Sequence, residues 1–203
     1  MGVGMDFQKP YGCMVVDMGA GITDIAVLAS GQVIEAASVC YGGDYFDDAI
    51  IRYLRKKHNL LIGERSAEEV KITLGTAIPP VSPLTNEVTG RDLLSGLPKT
   101  LTVSSAEIYE ALKDAIADLI ESIQGVLERT PPQLASDIFE DGIVLTGGAA
   151  SLAGLPAAIY NELHIPCGVA DDPQTSVVLG CGRALDNPHT YKNVLSDSRR
   201  GMR

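Results

Sequence analysis

Three short apolar runs crowd the front of the chain, Gly12 to Asp17, Ile22 to Ser30 and Gln32 to Val39. The segments between them, Met18-Gly19-Ala20-Gly21 and Ser30-Gly31, are turn sequences far too short for a crossover, so the runs can only be neighbouring antiparallel strands. The back of the chain follows another rule. Ile143 to Thr146 reads as a strand, Gly147-Gly148 as a turn and Ser151 to Leu163 as a helix. Cys167 to Ala170 then reads as a strand, and Asp172-Pro173 as the cap and first residue of a helix reaching Leu185. A meander followed by strand-helix units suits an α/β fold, a five-stranded mixed sheet with helices on both faces.

Between these ends a helix is predicted from a Gly43-Asp44 cap. Phe46, Ala49, Ile50, Tyr53 and Leu54 form its apolar face, and Arg55, Lys56, Lys57 and His58 sit where the helix dipole favours cations. From Asn59 to Val103 the texture changes to short helices, prolines and turns, which predicts a small α+β subdomain. In it Ser66-Ala67-Glu68-Glu69 reads as a capping box opening a helix that Gly75 closes. Val88 to Asp92 with Lys99 to Val103 reads as a hairpin after the loop Pro79-Pro80-Val81-Ser82-Pro83. Ser104 with Glu107 is a second capping box. It opens the longest helical repeat, Ile108 to Leu127, which Pro131-Pro132 stops. The expected organisation is a sheet domain of residues 1–58 and 104–185, an insert of 59–103, and a polar tail of 186–203 ending Arg199-Arg200-Gly201-Met202-Arg203. That tail reads as a frayed terminus or as a basic contact for a partner or membrane.

Charge narrows the partners. The 203 residues carry a net charge of −10, a field that repels phosphate backbones and anionic lipid heads, so nucleic acid is not expected. No apolar run approaches the roughly 18 to 20 residues that span a bilayer. Met1 to Pro10 lacks the basic start and apolar core of a signal peptide. Cys13, Cys40, Cys167 and Cys181 lie far apart, and three of them fall in elements expected to bury them. That usage points to a reducing cytoplasm rather than to disulfides or zinc.

Two glycine turns are the candidates for chemistry. In Asp17-Met18-Gly19-Ala20-Gly21-Ile22-Thr23-Asp24, glycines permit positive φ and close backbone approach. Amides can then point at an anion while Asp17 holds the water shell of a magnesium ion; equally, an aspartate can simply brace a glycine hairpin. Leu145-Thr146-Gly147-Gly148-Ala149-Ala150 ends a strand where ligands settle in open α/β sheets, and bare backbone there admits either a flat ring or a closely packed helix. Glu68 and Lys71 share a helix face, as an exposed ion pair or as ribose and base contacts. His58, His164 and His189 are scattered and read as surface or helix-end residues. No G-x-x-x-x-G-K-[ST] loop and no nucleophile elbow occurs.

Taken together, these segments resemble the MreB family of bacterial actin-like cytoskeletal proteins, within the wider ribonuclease H-like fold of actin, sugar kinases and chaperone ATPases. The residues that carry the resemblance are Met14 to Asp24, Gly42 to Ile50, Ile62 to Lys71, Pro131 to Ile138, Gly142 to Gly148 and Ala170 to Pro173, collinear from Gly2 to Leu185. The resemblance implies ATP and magnesium as ligands. It makes Asp17 to Thr23 look like the second phosphate loop, with Asp17 near the metal through water and Gly19, Gly21 and Thr23 near the terminal phosphates. Glu68 and Lys71 look like the ribose and adenine contacts, and Gly147, Gly148 and Ala149 like the adenosine loop. Ile22 stands where relatives usually carry threonine, and Ala149 replaces a third glycine; both departures weaken a nucleotide's hold.

The resemblance covers the second, C-terminal domain alone, and half a clamp is expected to hydrolyse ATP poorly even where it binds. The implied role is filament assembly and cell-shape determination in the cytoplasm. The implied partners are other copies, full-length subunits or a separate first-domain chain, with membrane association only indirect. A non-catalytic module that docks on full-length filaments, and half of a sugar or carboxylate kinase, are the competing expectations.

Overall fold

In a computed structural model, which describes residues 2–6, 8–186 and 188, the front meander forms as its turns dictate. Strands β1 (Cys13–Met18), β2 (Thr23–Ala29) and β3 (Gln32–Val39) are antiparallel neighbours, with Ser30 and Gly31 at positive φ in the tight second hairpin. Strand β7 (Ile143–Thr146) joins β1 in parallel and β8 (Cys167–Val169) joins β7, giving the order β3-β2-β1-β7-β8. The expected five-stranded mixed sheet is therefore present.

Pleating sends alternate residues to opposite faces. Met14, Val16, Met18, Ile25 and Val27 are fully buried against helices α1 (Gly43–His58) and α3 (Ser105–Arg129), which contribute Phe46, Ile50, Leu54, Ile108, Leu112, Leu119 and Ile123 to one core. On the other face, Val15, Asp17, Ala26 and Leu28 share a shallow cleft with Ser176, Val177 and Gly180 of α6 (Ser176–Asp186). A second, three-stranded sheet, β4 (Leu60–Leu61), β5 (Thr85–Asp92) and β6 (Pro98–Ser104), lies beside α2 (Glu64–Leu74). Strand β4 escaped the sequence because two leucines carry no period.

The capping box at Ser104 is present, with Ser104 Oγ accepting from the Glu107 amide and Glu107 accepting from the Ser104 amide. Glu107 also receives His58 Nε2 at 2.9 Å and Lys57 Nζ at 3.0 Å, which ties the end of α1 to the start of α3. Burial alone raises the Glu107 pKa. The Lys57 ammonium, the Ser104 amide and His58 outweigh it and hold the group down to about 2, against an ordinary 4.5. A depressed carboxyl stabilises the fold above the ordinary carboxylate range, and that contribution is lost as pH falls through about 2. Glu107→Ala is expected to cost about 1 to 2 kcal/mol at neutral pH. Urea unfolding at pH 7 and below pH 4 checks it, because the gap between wild type and variant narrows in acid.

Several expected boundaries move, each for a visible reason. Helix α1 starts on Gly42, with no side-chain cap, instead of on Gly43-Asp44. Helix α2 starts at Glu64 because the Gly63 carbonyl accepts the Ala67 amide, so the Ser66 capping box does not form and Ser66 lies inside the helix. Pro131-Pro132 ends α3 and also opens a helix that the sequence reading omitted, α4 (Pro132–Asp141), with Pro132 at its tolerant first position. The expected helix from Ser151 is a 3₁₀ turn (Gly148–Ser151) followed by α5 (Leu155–Leu163). Ala153 intervenes, bridging to Thr76 and accepting the Ala77 amide at 2.7 Å. Asp172-Pro173 does not open α6. The Pro173 carbonyl instead accepts the Gly147 amide and the Thr146 hydroxyl, which holds residues 172–175 as turns over the end of β7.

The cysteines are free and none is fully buried: Cys13 and Cys167 are half-buried, Cys40 and Cys181 exposed. Burial still pushes the Cys167 thiol up to about 12. His58 and His164 sit at helix ends as expected, while His189 and the basic tail lie outside the described residues. Among the described residues no helix is long and apolar enough to cross a membrane.

Candidate functional site

The site forms where the C-terminal ends of β1 and β7 lie side by side, with Asp17 opposite Thr146 in the ladder. The turn after β1 is pinned on both sides. The Gly19 amide donates to the Ile22 carbonyl at 2.9 Å, while Gly43 and Asp44, at the start of α1, donate to the carbonyls of Gly19 and Ala20. Gly42 makes this docking possible, because a Cβ there would lie 2.2 Å from the Ala20 carbonyl oxygen. Gly19 and Gly21 do not take the positive φ expected of them; their bare backbone matters here, not a left-handed turn. The amides of Ala20, Gly21 and Ile22 have no acceptor among the described residues, which suits an anion.

Gly147 brings the second turn against the first. Its φ of 86° and ψ of 163° belong to glycine, and a Cβ would meet the Met18 carbonyl oxygen at 2.2 Å and Asp17 Oδ1 at 2.7 Å. The Asp17 carboxylate therefore lies directly beside the Gly147 backbone. Burial raises its pKa and the facing Asp24 carboxylate adds to that, a pairing that a cation would relieve.

Helix α2 supplies the third part. Lys71 Nζ donates to Asp47 Oδ2 at 2.8 Å and to the Gly43 carbonyl at 3.0 Å. It does not pair with Glu68, which stays exposed one turn earlier. Lys71, Ile72, Gly148, Ala149, Ser151 and Leu152 enclose a cleft of about 160 Å³. A flat ring can lie there on backbone and small side chains, with one ammonium at the edge.

Of the residues the sequence singled out, Asp17, Gly19, Gly21, Lys71, Gly147, Gly148 and Ala149 are brought to this end of the sheet. Thr23 is fully buried and its hydroxyl donates to the Tyr41 carbonyl at 2.9 Å, so in this structure it braces the turn. Sequence reasoning missed Ile72 and Leu152, and used Gly42 and Asp47 only as points of resemblance. No spacing signal marks them, since their partners lie on other elements. A larger groove of about 440 Å³ between α3 and α5 holds none of the singled-out residues; its walls include Tyr109, Lys113, Ile116, Glu121 and Glu162.

A sheet of this order with two glycine turns meeting at one end is an actin-like domain. In shape it follows MreB5 of Spiroplasma citri bound to ADP, at a TM-score of 0.89 and 33% identity over 95% of this chain and 58% of that one. It also shares its fold with the MamK double helical filament, at a TM-score of 0.72 and 22% identity over 86% of this chain and 54% of that one. The model of the MreB/Mbl protein family matches residues 1–193, and the chain belongs to that family. It is 46% identical over 187 residues to the cell shape-determining protein Mbl of Bacillus cereus, covering 92% of this chain and 56% of that protein. The corresponding figures for the cell shape-determining protein MreB of Escherichia coli K12 are 44% over 186 residues, 92% and 54%. The chain thus spans about half the length of the curated relatives it matches.

Proposed function

We propose that this chain is the second, C-terminal half of an MreB-type cytoskeletal protein, a sheet domain of residues 1–58 and 104–185 with the insert 59–103. In this reading it holds ATP with magnesium in the cytoplasm and assembles into filaments that determine cell shape. One observation carries the reading: the β1–β2 turn, Lys71 and Ala149 converge on Gly43, whose Cβ would lie 3.3 Å from Lys71 Nζ, 3.7 Å from the Ala20 Cα and 3.8 Å from the Ala149 Cβ. Phosphates fit the unpaired amides of Ala20, Gly21 and Ile22, and the adenine ring fits the cleft between Lys71 and Gly148-Ala149. Exposed Glu68, on the same helix, accepts from the ribose. Asp17 would hold a magnesium ion, which would supply charge neutralisation to the phosphates.

A first domain of the family, on the same or another chain, closes the other side of the nucleotide. Similarity to ADP-bound MreB5 supports the nucleotide, and similarity to the cell shape-determining proteins MreB and Mbl supports the role in cell shape. The test mixes the chain with the separately expressed first domain of the Bacillus cereus Mbl relative and follows pelleting with and without ATP. ATP-dependent co-pelleting is expected. Absence of filaments at every nucleotide state overturns the assembly reading, and pelleting of full-length Mbl slowed by the chain favours a docking regulator.

A further inference from the structure

Asp47 lies in the second turn of α1, 8% exposed, with Oδ2 on Lys71 Nζ at 2.8 Å and Oδ1 buried without a donor among the described residues. Burial raises its carboxyl pKa and the Lys71 ammonium pulls the other way. A buried carboxylate with one bare oxygen is a poor stabiliser of a fold, and such groups in native structures are usually kept for a task. The task has a visible object. A lysine side chain has rotamer entropy to lose, and an unanchored ammonium at a cleft edge loses it on binding a ligand. Here the Lys71 side chain is 14% exposed and its ammonium already fixed, with two donors committed to Asp47 and the Gly43 carbonyl. One N–H of the three stays uncommitted at the cleft that Lys71 lines.

We propose that Asp47 is a positioning residue for nucleotide binding: its carboxylate anchors the Lys71 ammonium over the Gly43 carbonyl at the mouth of the cleft. The proposal rests on the nucleotide reading above and adds to it a residue that touches no ligand. A Cβ at position 43 would lie 3.3 Å from Lys71 Nζ, close enough for the ammonium to have to shift by a few tenths of an ångström.

A double-mutant cycle on the full chain tests it, with magnesium-ATP affinity measured by calorimetry for wild type, Asp47→Asn, Lys71→Ala and the double variant. Asp47→Asn keeps the shape and is expected to weaken ATP about tenfold, and Lys71→Ala about thirtyfold. The double variant is expected to lie within twofold of Lys71→Ala, because without the ammonium there is nothing left to position. A purely structural Asp47 predicts instead that the two losses multiply, and that result overturns the proposal. Asp47→Ser carries the same expectation if Asp47→Asn does not fold. Wild type that binds no ATP removes the nucleotide reading itself, an outcome distinct from multiplied losses.

Discussion

Gly147→Ala is expected to destabilise the fold by about 3 to 5 kcal/mol, while Gly148→Ala next to it changes stability by about 0.5 kcal/mol or less. Two penalties add at Gly147. The backbone conformation, φ 86° with ψ 163°, is nearly closed to residues with a Cβ. The new methyl would also sit 2.2 Å from the Met18 carbonyl oxygen and 2.7 Å from Asp17 Oδ1, so β1 and β7 must part or the turn must refold. At Gly148 neither penalty applies, since φ is not positive and a Cβ there meets nothing within 4 Å. Urea midpoints of the two variants check the contrast. Equal losses would mean that the two turns are not in contact. The same displacement moves the Asp17 carboxylate, so Gly147→Ala also disturbs any ligand held between the turns.

How much of this was legible depended on how far apart in the chain the cause lay. The meander, the Ser104–Glu107 capping box and the apolar face of α3 are local, and each is written within about a dozen residues. Boundaries failed where a distant group intervened. Helix α6 starts late because Gly147 and Thr146 claim the Pro173 carbonyl, and the helix after β7 is interrupted by the pairing of Ala153 with Thr76. The site follows the same division. Its glycine turns carry a pattern, whereas Asp47 reveals nothing until α1 and α2 pack and place it 2.8 Å from Lys71. Thr23 shows the same division, since its burial and its hydrogen bond to the Tyr41 carbonyl are not visible in a phosphate-loop pattern.

Lys71→Ala is the second change with a large expected effect, about thirtyfold on nucleotide affinity, or roughly 2 kcal/mol. Among the described residues the ammonium is the one side-chain cation lining the cleft, so its loss is expected to remove a charge-assisted hydrogen bond to the proposed nucleotide. It also leaves Asp47 buried without a counter-charge, and that carboxyl then rises further above its already raised pKa. The fold loses some stability as well. Binding must therefore be compared at a temperature where both proteins remain folded. The central claim is that these residues build half of a nucleotide clamp. Its most direct test is a calorimetric titration of the full chain with magnesium-ATP, wild type beside Lys71→Ala. Saturable one-to-one binding that falls about thirtyfold in the variant is the predicted result; no binding by wild type, or binding that the variant leaves unchanged, would contradict the account.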